Sequence, residues 1–249
     1  MLTLRALLFY LLMMVATVVC SLFSLVFASW MPFRQRFHVV VMANRFYIFA
    51  LRWICGIRYR VHGLENLPKD RPFVLLANHQ SEWETIYLQL LIQPLCTVLK
   101  RELLRIPFFG WALALLRPIA IDRAKRAGAL KQLLGKGKNR LNDGIPVMIF
   151  PQGTRVPYGE SGKFNKGGAM LACSAEVPVV PLCHNAGAHW PSGQLVKYPG
   201  LIEVEIGEPI ETTDADVNEV HQRSTDWIQQ RLDRQRGDVT EAKTATDGS

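Results

Sequence analysis

Short apolar runs alternate with longer helical patterns along this chain, and the alternation indicates the fold class. Seven runs are predicted strands: IRYRVHG, PFVLLAN, CTVLK, PIAI, PVMIF, PVVPLC and LIEVEIG. Five segments between or after them are predicted helices: 83–92, 108–116, 124–142, 167–175 and 216–236. Such alternation is typical of β-α units that build a parallel sheet. The sequence therefore predicts an α/β fold with a mostly parallel sheet flanked by helices.

The N-terminus carries a separate signal, an apolar run without charged residues from Ala6 to Met31. This run exceeds the roughly 20 residues that a helix needs to cross the hydrocarbon core, so we predict a membrane helix. The alternative is a cleaved secretory signal, because residues 27–29 faintly resemble a cleavage site, but such signals have a shorter apolar stretch. Residues 36–60 mix aromatic side chains with arginines, which predicts a helix in the membrane interface, with a second full span as the alternative.

Positive charge is concentrated next to this apolar run. The formal net charge is +8, and it includes a group of arginines after the run: Arg34, Arg36, Arg45, Arg52, Arg58 and Arg60. Such a cluster suits the anionic headgroups of a cytoplasmic leaflet, so the rest of the chain is expected on the cytosolic side. Nucleic acid is not expected as a partner, because the arginines adjoin a membrane segment and no nucleic-acid-binding motif accompanies them.

The chain of 249 residues shows no linker between Gly56 and Arg236, which indicates one domain over residues 56–236. Membrane-anchoring helices are expected in residues 1–55, and residues 237–249 are expected to form a disordered tail because they lack large apolar side chains. The five cysteines are widely spaced in apolar surroundings without a C-x-x-C pair. They are therefore expected to be buried in a reducing compartment, and no metal site is expected.

The predicted strand PFVLLAN runs directly into NHQSEWE, which places a histidine at the end of the strand. Ligands in open α/β sheets bind beyond the carboxyl ends of strands, so His79 has a functional position. Positions five apart on a helix point about 140° apart, so His79 can meet Glu84 only if it precedes the helix and Glu84 lies in the first turn. The carboxylate would then orient the imidazole as a general base.

An alternative exists for this stretch, in which His79 is a structural loop histidine and Glu84 a solvated acid favoured by the helix dipole. The sequence contains no G-x-S-x-G elbow that would supply a nucleophile, and Ser81 is expected to cap the helix. A histidine base would therefore activate a hydroxyl group of a substrate.

A second candidate site is the segment IFPQGTRV, where a predicted strand breaks at Pro151. Gly153 permits close approach of the backbone, Thr154 adds a hydroxyl, and the guanidinium of Arg155 can bind phosphate in bidentate fashion. These are the parts of an anion-binding site. The alternative is a glycine turn with a surface arginine.

Two further cations follow predicted strands. Lys100 ends CTVLK, and Arg123 comes just after PIAI. Parallel strands would deliver both to the same sheet edge as His79 and Arg155, which predicts a phosphate pocket beside a base. The alternatives are solvated surface charges and, for Arg123, an ion pair with the adjacent aspartate.

These segments together resemble the glycerolipid acyltransferases, in particular bacterial 1-acyl-sn-glycerol-3-phosphate acyltransferases. The NH-x4-D block of that family corresponds to NHQSEWE, its lysine block to VLKREL, its arginine block to RPIAIDR, its FPEGTR block to FPQGTR, and its proline-rich strand to VPVVPL. The blocks span roughly residues 60–185, and the membrane-binding N-terminal helices are similar too. Their order and spacing make the resemblance specific.

The resemblance implies an enzyme that transfers a fatty acyl group from acyl-CoA or acyl-carrier protein to the sn-2 hydroxyl of lysophosphatidate, giving phosphatidate for phospholipid synthesis. It implies membrane lipids as partners, a location at the cytoplasmic (inner) membrane, and no cofactor or metal. The residues carried over are His79 as the base, Glu84 as its orienting acid, and Lys100, Arg123 and Arg155 as phosphate contacts. Backbone donors around Gly153 and Thr154, or a nearby cation, would stabilise the oxyanion.

Two positions depart from the family pattern. Glu84 stands where most members have Asp, which extends the carboxylate by roughly 1.5 Å, the length of one C–C bond. Gln152 stands where the family usually has Glu, which removes a charge but keeps a hydrogen-bond acceptor, so Gln152 remains a predicted substrate contact. This change keeps an alternative function open, acyl transfer to another lyso-lipid such as lyso-ornithine lipid.

Two other classes of function are disfavoured. A lipid-binding scaffold without turnover is disfavoured because His79, Glu84 and Arg155 are all intact. A lipid hydrolase is disfavoured because the sequence shows no protein nucleophile.

Overall fold

The computed structural model describes residues 1–122, 126–160 and 162–247. Over these residues the chain forms a seven-stranded sheet. The strands are β1 (Ile57–His62), β2 (Val74–Ala77), β3 (Cys96–Lys100), β4 (Ile119–Ile121), β5 (Val147–Ile149), β6 (Val179–His184) and β7 (Gly200–Ile206). They lie in the order β1-β7-β6-β2-β5-β3-β4. Each of the predicted strands is therefore present.

The sheet is mostly parallel, as predicted, and β6–β7 is the antiparallel pair among its neighbours. Strand β2 lies between β5 and β6, and its Val74 is level with Val147 and Val179. All four residues of β2 are buried. A parallel strand covered on both faces has such a continuous apolar run. The predicted α/β fold class is confirmed.

Helices connect and cover the strands. They are α1 (Leu2–Phe27), α2 (Phe33–Val40), α3 (Met42–Cys55), α4 (Trp83–Leu91), α5 (Phe109–Leu115), α6 (Arg126–Asn142), α7 (Gly167–Ala175), α8 (Ala186–His189) and α9 (Val217–Asp247). The predicted helices correspond to α4, α5, α6, α7 and α9. The short α8 was not predicted, because four residues are too few to show helical periodicity.

The two faces of the sheet bury separate apolar clusters. In β2, Leu75 and Ala77 point to one cluster, whereas Val74 and Leu76 point to the other, as the period of two in a strand requires. The first cluster contains residues from α1–α5, and the second contains residues from α6, α7 and α9. The sheet is therefore covered by helices on both sides, which fixes the positions of its strand ends.

The N-terminal helices share the first cluster with the rest of the chain. Phe9 of α1 and Phe37 of α2 are completely buried in it. Residues Leu2–Trp30, by length and composition, could cross a membrane. In contrast, α2 and α3 have 8 and 14 residues, fewer than the roughly 20 that a span requires, so neither crosses a bilayer alone.

Helix α9 is longer than the sequence predicts. The domain was expected to end near Arg236 and to be followed by a disordered tail, but the helix continues to Asp247. The domain bounds and the disordered tail stay predictions. Residues 237–247 contain alanine, glutamate and lysine, which have high helix propensity.

Candidate active site

The turn between β2 and α4 brings together the two side chains that the sequence pairs. His79 lies in the loop after β2, and Glu84 lies in the first turn of α4. His79 Nδ1 is 2.7 Å from Glu84 Oε1, so the imidazole and the carboxylate share a hydrogen bond. The structure has the geometry that the five-residue spacing requires. The catalytic roles of the two residues remain predictions.

The Glu84 carboxylate is fully buried and is held by the start of its own helix. Its Oε1 also accepts the backbone amides of Gln80 at 3.0 Å and Ser81 at 2.9 Å. Burial by itself raises the pKa of Glu84, but the electrostatic interaction with His184 and hydrogen bonds from His79 and the backbone outweigh it. The pKa of Glu84 therefore lies below its usual value, and the carboxylate is ionised at neutral pH.

The ring and the backbone of His79 are fixed by the segment IFPQGTRV. The imidazole stacks on Phe150, with ring centroids 4.1 Å apart and planes inclined by 12°. The His79 amide donates to Gln152 Oε1 at 2.7 Å, and the His79 carbonyl accepts the amide of Val156 at 2.8 Å. Because Nδ1 is bound to Glu84, Nε2 is the nitrogen that can take a proton from a ligand.

Gln152 contacts the protein itself. Its side chain is buried, and its amide oxygen is the acceptor for the His79 amide. A glutamate at this position would offer the same kind of oxygen, so the departure from the family pattern preserves this contact. The predicted contact of Gln152 with a substrate remains a prediction.

The loop after β5 has the turn that its sequence predicts. Gly153 has a φ of 71°, in the left-handed region that favours glycine. Its amide donates to the Phe150 carbonyl at 3.0 Å, and the Asn165 side chain donates to the Pro151 carbonyl at 2.8 Å. The backbone of the loop is thus fixed, and the next residue, Thr154, is exposed beside it.

Arg155 reaches back to the start of α4. Its Nε donates to the Ser81 carbonyl at 3.2 Å, and one terminal nitrogen, Nη1, lies 3.1 Å from Glu82 Oε1. The structure therefore brings Arg155 next to the loop that holds His79. Glu82 could not be recognised from the sequence, because a carboxylate between two motif residues has no spacing that marks it as the partner of a distant arginine.

The two remaining predicted cations lie farther from this centre or outside the description. Lys100 is exposed at the carboxyl end of β3, which is two strands away from β2. The structure does not bring Lys100 into the His79 loop. Arg123 lies outside the described residues.

Ser81 is in the predicted role of a capping group, since its Oγ accepts the amide of Trp83 at 3.1 Å. The hydroxyl is buried and engaged by the helix start. Within residues 1–122, 126–160 and 162–247, no group of three His, Cys, Asp or Glu side chains has an arrangement suited to a metal ion. The arrangement in the described residues is a histidine bound to a buried carboxylate, beside an arginine.

Comparison with known proteins identifies relatives of the whole chain. A family model described as acyltransferase matches residues 58–185. The chain is 47% identical over 232 residues to the 1-acyl-sn-glycerol-3-phosphate acyltransferase of Pseudomonas aeruginosa, covering 92% of this chain and 90% of that protein. It is 32% identical over 172 residues to the protein of the same name from Saccharomyces cerevisiae, covering 68% of this chain and 53% of that protein.

A solved structure is similar over nearly the whole chain. It is the crystal structure of the 1-acyl-sn-glycerophosphate (LPA) acyltransferase PlsC from Thermotoga maritima, which aligns with a TM-score of 0.78 at 27% sequence identity. The alignment covers 93% of this chain and 94% of that one. The fold, the extent of these matches and the family model agree with the resemblance carried by the sequence blocks. The chain belongs to the acyltransferase family.

Proposed function

We propose that this enzyme transfers a fatty acyl group from a thioester donor, acyl-CoA or acyl-carrier protein, to the sn-2 hydroxyl of lysophosphatidate, forming phosphatidate. The observation that carries the proposal is the 2.7 Å contact between His79 Nδ1 and Glu84 Oε1 at the carboxyl end of β2. The names of the similar proteins support lysophosphatidate as the acceptor. The proposed product is a phospholipid precursor.

The reaction needs only a base and a means of stabilising an oxyanion. His79 Nε2 takes the proton of the acceptor hydroxyl, and the oxygen attacks the thioester carbonyl to give a tetrahedral intermediate. The intermediate collapses by breaking the C–S bond, and the leaving thiolate takes the proton from His79. The Glu84 carboxylate stabilises the imidazolium between these two steps. A thioester is already activated, so the proposed reaction uses no cofactor or metal.

We assign the charged end of the acceptor to the loop after β5. Arg155 is beside the His79 loop and can present two N–H groups to a phosphate. Lys100 and Arg123 stay proposed as additional phosphate contacts, and Gln152 as an acceptor contact. The Gly153 amide already donates within the turn, so we place the oxyanion donors at Thr154.

We propose that the enzyme works on the cytosolic face of the cytoplasmic membrane. Helix α1 presents many large apolar side chains to its surroundings: Leu4, Leu7, Leu8, Leu11, Met14, Val15, Val19, Leu22, Phe23, Val26 and Phe27. Exposed Phe46, Phe49 and Trp53 of α3 extend the apolar surface, and the nearby arginines suit anionic headgroups. Lysophosphatidate and phosphatidate reside in the bilayer, whereas the acyl donor is water-soluble.

The test is an assay of purified protein with lysophosphatidate and radiolabelled acyl-CoA. We expect labelled phosphatidate from the wild type and a kcat lower by about 10³-fold in His79→Ala, because a general base contributes about 10²- to 10⁴-fold. His62→Ala is the matched control, since His62 also contacts a glutamate but is exposed on β1. Absence of phosphatidate from the wild type would refute lysophosphatidate as the acceptor. Full activity of His79→Ala would refute His79 as the general base.

Competition assays distinguish between the two possible acyl donors and between the two possible acceptors. Acyl-CoA and acyl-carrier protein are compared as donors at equal concentration. Lyso-ornithine lipid, which lacks a phosphate, is compared with lysophosphatidate as acceptor. We expect preference for lysophosphatidate, and expect Arg155→Ala to reduce that preference because it removes the proposed phosphate contact.

A further inference from the structure

Strand β6 ends beside the segment that carries His79, and the two are joined by side-chain hydrogen bonds. The Asn78 side chain donates from Nδ2 to the His184 carbonyl at 2.9 Å and accepts the His184 amide on Oδ1, also at 2.9 Å. Asn78 thus continues the β2–β6 pairing with its side chain, one residue beyond the last backbone pair at Ala77 and Leu182. The residue before His79 is fixed to the end of the next strand.

The His184 ring is neutral and has a defined tautomer. Its Nε2 lies 2.9 Å from the Asn78 carbonyl, which can only accept, so Nε2 carries the hydrogen. Its Nδ1 accepts the Ala186 amide at 3.2 Å and therefore carries none. Asn78 and His184 are completely buried, and burial lowers the pKa of His184. The ring cannot replace His79 as a base, because both nitrogens are engaged by the backbone.

The Nε2 of His184 also lies near the buried carboxylate of the site. His184 Nε2 is 4.0 Å from Glu84 Oε2, on the oxygen that His79 does not use. Within the described part of the chain, Oε2 is buried and has no hydrogen-bond partner. A distance of 4.0 Å is too long for a hydrogen bond, but an N–H dipole directed near a buried charge stabilises it strongly where water is absent.

We propose that His184 is a positioning residue for the His79–Glu84 pair. It stabilises the Glu84 carboxylate from the side of Oε2, the oxygen that His79 does not contact. The role rests on the proposed function, in which His79 becomes positively charged during the reaction and needs an ionised Glu84 in a fixed place. His184 acts through these two residues and does not touch the substrate.

The inference separates His184 from an ordinary structural histidine. His189 provides the comparison, since its Nε2 also donates to a backbone carbonyl, that of Leu201 at 3.1 Å. His189 is half-buried and does not approach Glu84. A substitution at either residue removes one N–H···O=C bond, and the substitution at His184 also removes the acceptor of the Ala186 amide and the dipole beside the carboxylate.

The test is a double-mutant cycle on kcat for phosphatidate formation. His184→Leu is expected to lower kcat about tenfold, a loss equivalent to about 1.4 kcal/mol, with KM for both substrates within twofold of the wild type. His184→Gln, which keeps an N–H donor, is expected to retain most of the activity. His189→Leu is expected to leave kcat within twofold. In a Glu84→Ala background, His184→Leu should cause no further loss, because the carboxylate through which it acts is absent.

Other outcomes overturn the proposal. A tenfold loss from His184→Leu that persists in the Glu84→Ala background would show that His184 acts independently of the carboxylate. An unchanged kcat in His184→Leu would exclude the role directly. If His184→Leu does not fold, as judged by circular dichroism, the cycle is run with His184→Asn, whose shorter amide is expected to lower kcat more than Gln, and equal values for Asn and Gln would refute the role.

Phosphatidate formation by the wild-type enzyme tests the proposed function separately from the role of His184. A wild type that makes no phosphatidate contradicts lysophosphatidate as the acceptor. The cycle is then measured with whichever lyso-lipid the enzyme acylates, because the positioning role concerns the base and not the acceptor. The two proposals therefore fail on different measurements.

Discussion

The His79–Glu84 pair and the loop that carries Arg155 lie side by side but differ in how complete they are without a substrate. The Glu84 carboxylate is fully buried and accepts three hydrogen bonds on one oxygen, so the His79–Glu84 pair is held by the protein alone. The Arg155 side chain is 38% exposed, and its charge is paired with a carboxylate of the protein, that of Glu82. The His79–Glu84 half of the site is therefore preformed. In the other half, the Glu82 carboxylate occupies the position beside Arg155 where we place the substrate phosphate.

This difference separates the expected effects on catalysis and binding. A preformed base contributes to the rate of the chemical step, since its orientation does not depend on the ligand. An arginine that exchanges one anion for another contributes mainly to the affinity for the acceptor. Changes at the base should therefore lower kcat, whereas changes at the loop should alter KM for lysophosphatidate.

Among the following changes, the largest effect on kcat is expected when the negative charge of the His79–Glu84 pair is removed. Glu84→Gln keeps an oxygen that can accept the hydrogen bonds of Oε1 but removes the negative charge, so we expect kcat to fall about 10²- to 10³-fold with little change in KM. Steady-state kinetics with lysophosphatidate measures both constants. Glu208→Gln is the control, since Glu208 is exposed. A raised KM with normal kcat would contradict the assignment of Glu84 to the chemical step.

A smaller effect is expected from the loop. Arg155→Ala removes a charged donor to the proposed phosphate, so KM for lysophosphatidate should rise about 10- to 150-fold, because hydrogen bonds to charged groups contribute about 1.5–3 kcal/mol. KM for the acyl donor should stay unchanged. Arg60→Ala, at an exposed arginine that also pairs with a glutamate, is the matched control. Equal effects on both substrates would show that Arg155 serves the fold and not the phosphate.

The opposite change, a decrease in KM for lysophosphatidate, is expected when the Glu82 carboxylate is neutralised. Glu82→Gln should lower KM for lysophosphatidate by a few fold and leave kcat unchanged, because the phosphate no longer competes with a carboxylate for Arg155. Glu82 Oε1 contacts Ser192 Oγ at 3.4 Å as well as Arg155, and Glu82 Oε2 has no hydrogen-bond partner within the described residues. A higher KM in this variant would show that Glu82 orients Arg155 and does not compete with the substrate.

The smallest effect is expected on stability in acid. The pKa of folded Glu84 lies below its usual value of 4.5, so its contribution to stability is complete above that pH and is lost as pH falls through the lower folded pKa. The difference in melting temperature between wild type and Glu84→Gln should therefore stay constant from pH 7 to about 5 and narrow by a few degrees below about pH 4.5. A gap that widens in acid would mean that Glu84 is protonated in the folded protein.

Local patterns in the sequence were sufficient to predict the strands and the His79–Glu84 contact. Each strand is a short apolar run, and the His79–Glu84 contact depends on six consecutive residues whose spacing permits a single arrangement at a helix start. Propensity and periodicity decide such features within a short window. Helix α9 extends to Asp247, beyond the predicted end near Arg236, because helix formers can continue a helix without apolar side chains.

Contacts between distant segments could not be predicted. Asn78 and His184 are 106 positions apart, and only the pairing of β2 with β6 brings them together. The hydrogen bond from the His79 amide to Gln152 likewise depends on the neighbouring position of β5. A single sequence predicts where each strand lies along the chain but not the order of the strands in the sheet. Contacts between strands therefore appear only in the structure.

The position of α1 affects how a water-soluble version of this enzyme should be engineered. Phe9 meets the ring of Trp190 edge-on, with centroids 5.3 Å apart, and Lys197 lies over both Tyr10 and Trp190. Deleting the first helix would expose an indole and a buried lysine that belong to the body of the protein. A soluble variant should therefore retain this helix and replace the leucines and valines on its outer side with polar residues.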